Sequence, residues 1–326
     1  MIRLGTIGTS DICNSFLEGV KTLDDFKIQA VYSRNLKTGQ DFAKKHGVSE
    51  VFVDLKQMAS SSDIDAVYIA SPNSCHFEQS KLFLQNGKHV ICEKPITTCA
   101  AEYKELKALA DKRKVIYMEA IISRHNPYHA KIKQALYDLG KIKSADLIFH
   151  QRSSRLDAFL KGEHVNIFDM KLNAGTLMDI GVYCVYAAVD FFGMPNNVTA
   201  TKELLYNGAD GSGTATLYYD GFCVNLSYSK VEQYDGPSVI KGENGVLKID
   251  KISQYAGVHV IKDGSDTNIT EHLTKPQQMS SEAAHFADYI LHFDEKCDEY
   301  KNISELTFKV HTVMDQIKLA AQLEYN

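Results

Sequence analysis

The chain reads as an α/β protein in two parts. A doubly wound parallel sheet comes first, followed by an α+β region with an open, mostly antiparallel sheet. Three observations predict this. From residue 1 to about 122, apolar strand-like runs alternate with helix-length amphipathic segments, the pattern of βαβ units. Two of those runs, AVYIA (66–70) and HVI (89–91), are nearly unbroken in apolar residues, as strands buried on both faces are. Beyond residue 123, strand-like segments follow one another with few helices between them, the mark of an antiparallel sheet.

The elements follow in order. IRLGTIG (2–8) reads as a strand and DICNSFLEGVKTL (11–23) as a helix. FKIQAVYS (26–33) is a strand, and TGQDFAKKHG (38–47) a helix with a glycine stop. VFVD (51–54) is a short strand, and AVYIAS (66–71) feeds the helix SCHFEQSKLFLQNGK (74–88). HVICEK (89–94), AAEYKELKALADKRK (100–114) and VIYMEAII (115–122) complete the alternation as strand, helix and strand. The second part opens with a helix (129–140), a strand (144–154) and a second helix, GTLMDIGVYCVYAAVDFFG (175–193). Strands follow at 198–206, 213–220, 222–230, 237–250 and 258–263, parted by glycine turns such as YDGF and GENG. Amphipathic helices at 280–293 and 305–325 end the chain. The boundary falls near residue 122, giving segments 1–122 and 123–326; the last helices could pack on either.

Composition removes several classes of function. The formal net charge is −5 with no basic block, which argues against nucleic acid and anionic membrane as partners. No apolar run approaches the roughly 18–20 residues of a membrane span, and the chain enters MIRLGTIG without signal-peptide features. Seven scattered cysteines with no CxxC read as reduced thiols of a cytoplasmic protein. No residue pattern calls for a metal.

The stretch GTIGTSDIC (5–13) has the shape of a strand, a glycine turn and a helix start. A dinucleotide fingerprint wants glycines for the turn, for close approach of a pyrophosphate and for helix–strand packing. Gly8 keeps the first position, while Ser10 and Cys13 occupy the other two. The Ser10 hydroxyl could itself meet a phosphate, and Cys13 is small and apolar. The backbone of Thr9, Ser10, Asp11 and Ile12 would offer N–H groups at a helix N-terminus, although the Asp11 charge counts against an anion there. The bland alternative is an ordinary strand–turn–helix. The next strand ends YSRN (32–35), without the acidic residue that holds a ribose 2′-hydroxyl. Ser33 and Arg34 stand there instead, a hydroxyl and a cation suited to a 2′-phosphate, and so to NADP(H) over NAD(H). Otherwise Arg34 is a solvated loop charge.

Two further stretches, AVYIASPNSCHFEQSKLFLQNGKHVICEKPI (66–96) and AGTLMDIGVYCVYAA (174–188), carry a resemblance. With the N-terminal stretch they are similar to the glucose–fructose oxidoreductase / inositol dehydrogenase / MocA superfamily, over essentially the whole chain. Tyrosine in LMDIGVY resembles the branch that holds trans-dihydrodiol dehydrogenases. The resemblance implies an N-terminal Rossmann domain for NAD(P) and a C-terminal domain whose sheet often forms a homo-oligomer interface, as a dimer or tetramer. It implies a cofactor loop at Ala70, Ser71, Pro72, Asn73 and His76, and an E-K-P motif at Glu93, Lys94 and Pro95, with a cis peptide that turns Lys94 toward the nicotinamide. Arg124 matches an arginine near the cleft, and Asp179 and Tyr183 match the catalytic helix. His164 and Asn166, just upstream, are candidates to line the substrate pocket. Asn166 stands where arginine is frequent, and Asn173 and Ala174 where glycine is frequent.

Asp179 and Tyr183 are four apart, on one face of a helix. Moving a hydride to or from a carbon requires a proton transfer at its oxygen. A tyrosinate base needs a nearby cation, and Lys94 could supply it, polarise the substrate oxygen, or transfer the proton itself. Asp179 would orient the substrate hydroxyl or Lys94. The resulting expectation is an NADP(H)-preferring oxidoreductase acting at CH–OH or C=O of a sugar, polyol or cyclic dihydrodiol, with no metal. The alternative is a nucleotide-binding sensor on the same fold, which has no need to keep Lys94, Asp179 and Tyr183 together.

Overall fold

The structure, a computed structural model, describes residues 1–324; residues 325 and 326, part of the expected second segment and its last helix, lie outside them. The described chain divides into two compact units: Met1–His125 with Thr274–Glu305, and Asn126–Leu273 with residues 306–324.

The first unit alternates strand and helix throughout. Its elements are β1 (Ile2–Ile7), α1 (Asp11–Val20), β2 (Phe26–Tyr32), α2 (Leu36–His46), β3 (Glu50–Phe52), α3 (Leu55–Ser60), β4 (Ala66–Ile69), α4 (Asn73–Gln85), β5 (His89–Glu93), α5 (Ala100–Arg113) and β6 (Tyr117–Ala120). The six strands pair in the order β3-β2-β1-β4-β5-β6, all parallel, with the order reversal that doubly wound sheets use to open a ligand crevice. Both faces are covered, which is why the central strand β4 is apolar and buried at every position. Ala66 and Tyr68 point into one apolar layer; Val67 and Ile69 point into the other.

The second unit holds α6 (His129–Asp138), β7 (Ile142–His150), α7 (Leu156–Leu160), a π-helical turn at Leu177–Gly181 continuing into α8 (Val182–Phe192), and seven further strands. These are β8 (Asn197–Leu204), β9 (Asp210–Tyr219), β10 (Phe222–Ser229), β11 (Ser238–Gly242), β12 (Gly245–Lys251), β13 (Ala256–Lys262) and β14 (Ser265–Asn268). Their order is β14-β13-β12-β11-β7-β10-β9-β8. Only β7 and β10 run parallel; every other pair is antiparallel. One face is core, through Ala145, Leu147, Ala215, Leu217, Val224 and Leu226. The opposite face shows Thr199, Thr201, Thr214, Tyr218 and Asn225. Met170–Phe192 is long and apolar enough to cross a membrane by length and composition, yet 78% of its apolar window is buried in this core.

Two helices close the chain, α9 (Lys275–Leu291) and α10 (Phe293–Ala320). The sequence leaves open which part the last helices pack on; residues 274–305 belong to the first unit. The reason is an apolar stripe, Met279, Ala283, Phe286 and Ala287, that joins the core layer of α1 and β1. The approach is close: a Cβ on Gly19 of α1 would come within 2.7 Å of the Ser280 backbone N.

Candidate active site

The turn after β1 is built around Gly8. Its φ is +118°, a conformation side chains disfavour, and a Cβ there would approach the Ala70 carbonyl oxygen to 2.8 Å. Ser10 is the N-cap of α1, but its hydroxyl makes no capping bond and stays exposed. Thr9 and Ile12 are half-buried, and Asp11 is exposed. Cys13 is fully buried, with Sγ 2.6 Å from Thr6 Oγ1; burial pushes its thiol up to about 12. The cysteine thus takes the helix–strand packing position as a protonated, inert side chain. A glycine cradle, an uncommitted hydroxyl and a helix N-terminus fit a pyrophosphate.

At the end of β2, Ser33 is buried and its Oγ accepts the Asn35 N–H at 3.3 Å. That bond leaves its O–H available to donate. Arg34 is exposed, and its guanidinium takes no part in the hydrogen bonds or ion pairs among the described residues. Asn35 caps α2 by accepting the Thr38 N–H.

The two motif loops of this unit are tied together by His76. Its Nδ1 lies 2.9 Å from Pro95 O and its Nε2 2.9 Å from Ser71 O. Burial holds its pKa below the ordinary imidazole value, against the pull of those carbonyls. A neutral ring donates to one carbonyl at a time, and the Nδ1–H tautomer ties the Pro95 loop to α4. The Ser71 hydroxyl donates to Gln79 Oε1 at 2.7 Å, Pro72 caps α4, and Asn73 opens it. The Lys94–Pro95 peptide is cis, and Lys94 is half-buried. On its flank, Tyr68 donates to Glu93 Oε1 at 2.5 Å. Burial raises the Glu93 pKa, while Tyr68 and Lys94 act to lower it. The loop after Pro95 is held by Glu119, whose Oε1 accepts the Ile96 N–H at 2.8 Å. Arg124, in the turn after β6, is half-buried, and its Nε is buried without a hydrogen-bond partner.

In the second unit, Asp179 lies in the π-helical turn and Tyr183 in the first turn of α8. The turn is anchored to the start of β9. Asp210 Oδ2 accepts the Leu177 N–H at 2.7 Å, and the Thr176 hydroxyl donates to Asp210 O and Gly211 O at 2.7 and 2.9 Å. The bend feeding it needs a left-handed residue, and Asn173 takes it with φ +50°; asparagine tolerates that region better than most. Tyr183 meets the Phe149 ring edge-on at 5.9 Å. The Asp179 carboxylate receives the buried ammonium of Lys230. His164 is exposed and pairs with Asp169 at 2.8 Å, and the imidazole holds that carboxyl below its usual range. Asn166 is exposed at a short 3₁₀ turn.

The first unit thus brings together Gly8, Ala70, His76, Glu93 and Lys94, and the second Asp179 and Tyr183. Glu119, Asp210 and Lys230 escape the reading of the sequence. Lys230 had a signal: in FCVNLSYSK the inward positions are Val224, Leu226 and Tyr228, and Lys230 keeps the same parity.

A family model described as oxidoreductase family, NAD-binding Rossmann fold, matches residues 2–121, and a GFO/IDH/MocA C-terminal domain model matches 129–248. The scyllo-inositol 2-dehydrogenase (NADP(+)) IolU of Bacillus subtilis is 39% identical over 326 residues, covering 100% of this chain and 98% of that protein. The trans-1,2-dihydrobenzene-1,2-diol dehydrogenase of Xenopus laevis is 30% identical over 303 residues, 89% of each chain. The crystal structure of KijD10, a 3-ketoreductase from Actinomadura kijaniata, superposes with a TM-score of 0.85 at 23% identity over 98% of both chains. The chain belongs to the GFO/IDH/MocA oxidoreductase family and is an NAD(P)-dependent dehydrogenase acting on CH–OH groups.

Proposed function

We propose that this protein is an NADP(H)-preferring dehydrogenase that interconverts a secondary alcohol and a ketone on an inositol or related polyol, with sugars and cyclic dihydrodiols as further candidates. The observation that carries the cofactor choice is the end of β2. No acidic side chain stands there to repel a 2′-phosphate, and the Arg34 guanidinium is exposed and uncommitted. The 39% identity to an NADP(+) scyllo-inositol dehydrogenase supports both halves of the reading.

When bound, the nicotinamide exchanges a hydride with the substrate carbon. The rest falls to side chains. Gly8, Ser10 and the first amides of α1 hold the pyrophosphate; Ser33 and Arg34 hold the 2′-phosphate. Lys94 polarises the substrate oxygen with its ammonium, and Tyr183 gives that oxygen a proton or takes one from it. Asp179 orients the substrate hydroxyl, with Arg124 as a further polar contact and His164 and Asn166 toward the pocket rim. The seven cysteines form no disulfide, which supports a reducing, cytoplasmic setting. The exposed face of the eight-stranded sheet is assigned to homo-oligomer contact.

Steady-state assays with NADP(H) and NAD(H) against scyllo-inositol, other polyols, aldoses and dihydrodiols test the reading. NADP(H) should win by about 10- to 100-fold in kcat/KM, the 1.4–2.8 kcal/mol of a charge-assisted contact. Arg34→Ala should remove most of that preference by weakening NADP(H) alone. Lys94→Ala should abolish turnover while NADPH still binds. Equal use of both cofactors by the wild type would overturn the NADP assignment.

A further inference from the structure

We propose that Lys230 is a positioning residue for the reaction, fixing the Asp179 carboxylate one turn before Tyr183. This rests on the assignment of Asp179 and Tyr183 to the site under Proposed function.

The Lys230 side chain is 6% exposed, and Asp179 keeps 29% of its side chain accessible. The ammonium donates to Asp179 Oδ2, so one edge of the carboxylate is committed inside while the residue still reaches solvent. Such a pair is a poor stabiliser. Desolvating an ammonium is costly, and replacing both ends of such a pair by apolar side chains is often no less stable, whereas removing one end leaves the other charge without its counter-ion. Stability alone therefore does not account for a lysine at this position.

Both ends of the pair are mounted on one frame. The Gly211 carbonyl accepts the Lys230 N–H at 2.9 Å and the Thr176 hydroxyl at 2.9 Å. The same carbonyl thus fixes the residue after β10 and the entry to the π-helical turn. Lys230 O accepts the Ser153 N–H at 2.9 Å, which ties down its other side. Asp210 holds the Leu177 N–H, two residues before Asp179. The carboxylate is held through its backbone and through its side chain. A carboxylate so held does not spend reaction time searching rotamers, and misplacement of a reacting group by about 1 Å can cost about 100-fold in rate. The buried ammonium also balances the carboxylate charge.

The test compares Lys230→Met, Lys230→Arg, Asp179→Asn and the double variant Lys230→Met/Asp179→Asn in the full-length protein. Turnover is measured with NADP(H) and the best polyol or sugar found for the wild type, alongside NADPH binding and Tm. Lys230→Met should lower kcat about 10- to 100-fold with NADPH affinity unchanged, and its Tm should fall and be regained at least in part in the double variant. Lys230→Arg should restore most of the rate. The double variant should be no slower than Asp179→Asn alone, since both changes remove one interaction. Wild-type kcat and KM in Lys230→Met, or losses that multiply in the double variant, would overturn the proposal while leaving the dehydrogenase reading intact. A wild type without turnover on any CH–OH substrate would overturn both.

Discussion

Gly8 carries two constraints at once, a φ of +118° and an Ala70 carbonyl oxygen 2.8 Å from where a Cβ would stand. Gly8→Ala should therefore destabilise the protein by about 1–3 kcal/mol and weaken NADPH binding about 10-fold, because the turn can only relax by moving the amides proposed to hold the pyrophosphate. Thermal melts with and without NADPH separate the two effects; an unchanged Tm would show that the turn tolerates the methyl group. The neighbouring departures from the glycine fingerprint were legible as departures, but their resolution was not. That Cys13 meets Thr6 depends on how α1 lies on β1, and that Asn173 sits at φ +50° depends on how the bend enters the π-helical turn. Lys230 is the sharper case. Its parity in the strand was in the sequence, but its partner lies 51 residues earlier, and a lone lysine at a strand end reads as surface.

His89 makes the start of β5 sensitive to acid. Its Nδ1 accepts the Ile116 N–H at 2.9 Å, which only an unprotonated nitrogen can do. Burial lowers its pKa from 6.5 to about 4, with Asp65 opposing weakly. The unfolded chain therefore binds this proton more tightly than the folded one. The contribution of His89 is fully present above pH 6.5 and is lost as pH falls toward 4. Relative to His89→Asn, whose side-chain oxygen can accept the same bond, the wild type should lose about 2 kcal/mol between pH 7 and pH 5. Chemical denaturation of both proteins at the two pH values measures this; parallel curves would reject it. At this scale the parallel sheet was the most legible part, because strands buried on both faces leave continuous apolar runs such as AVYIA. The second sheet was legible only as a set of strands. Alternation has the same period in parallel and antiparallel partners, so nothing local marks the parallel pairing of β7 with β10. The four exposed residues of β14 have no apolar parity at all.

The eight-stranded sheet leaves one face open, and hydroxyls and amides bridge it strand to strand: Thr201 to Thr214 at 2.7 Å, Thr216 to Asn225 at 3.1 Å and Asn225 to Asp146 at 2.9 Å. Such a row is pre-ordered, so a second copy docking on it loses little side-chain freedom. Light scattering should find a dimer or tetramer, and Thr214→Arg with Tyr218→Asp should give a monomer that still binds NADPH; an unchanged mass would move the contact elsewhere. The return of residues 274–305 to the first unit is not legible in the sequence, because it is decided by which apolar stripe α9 presents and which surface lacks cover. That return matters while the protein is being made. The first 125 residues leave the ribosome with one flank of α1 bare, where Gly19 awaits Met279 and Ser280. At about 5–20 residues per second, the ribosome takes roughly 7–30 s to add the intervening segment. For that interval the nascent nucleotide-binding unit is unfinished, and a chaperone or the unfolded remainder of its own chain has the first opportunity to cover it.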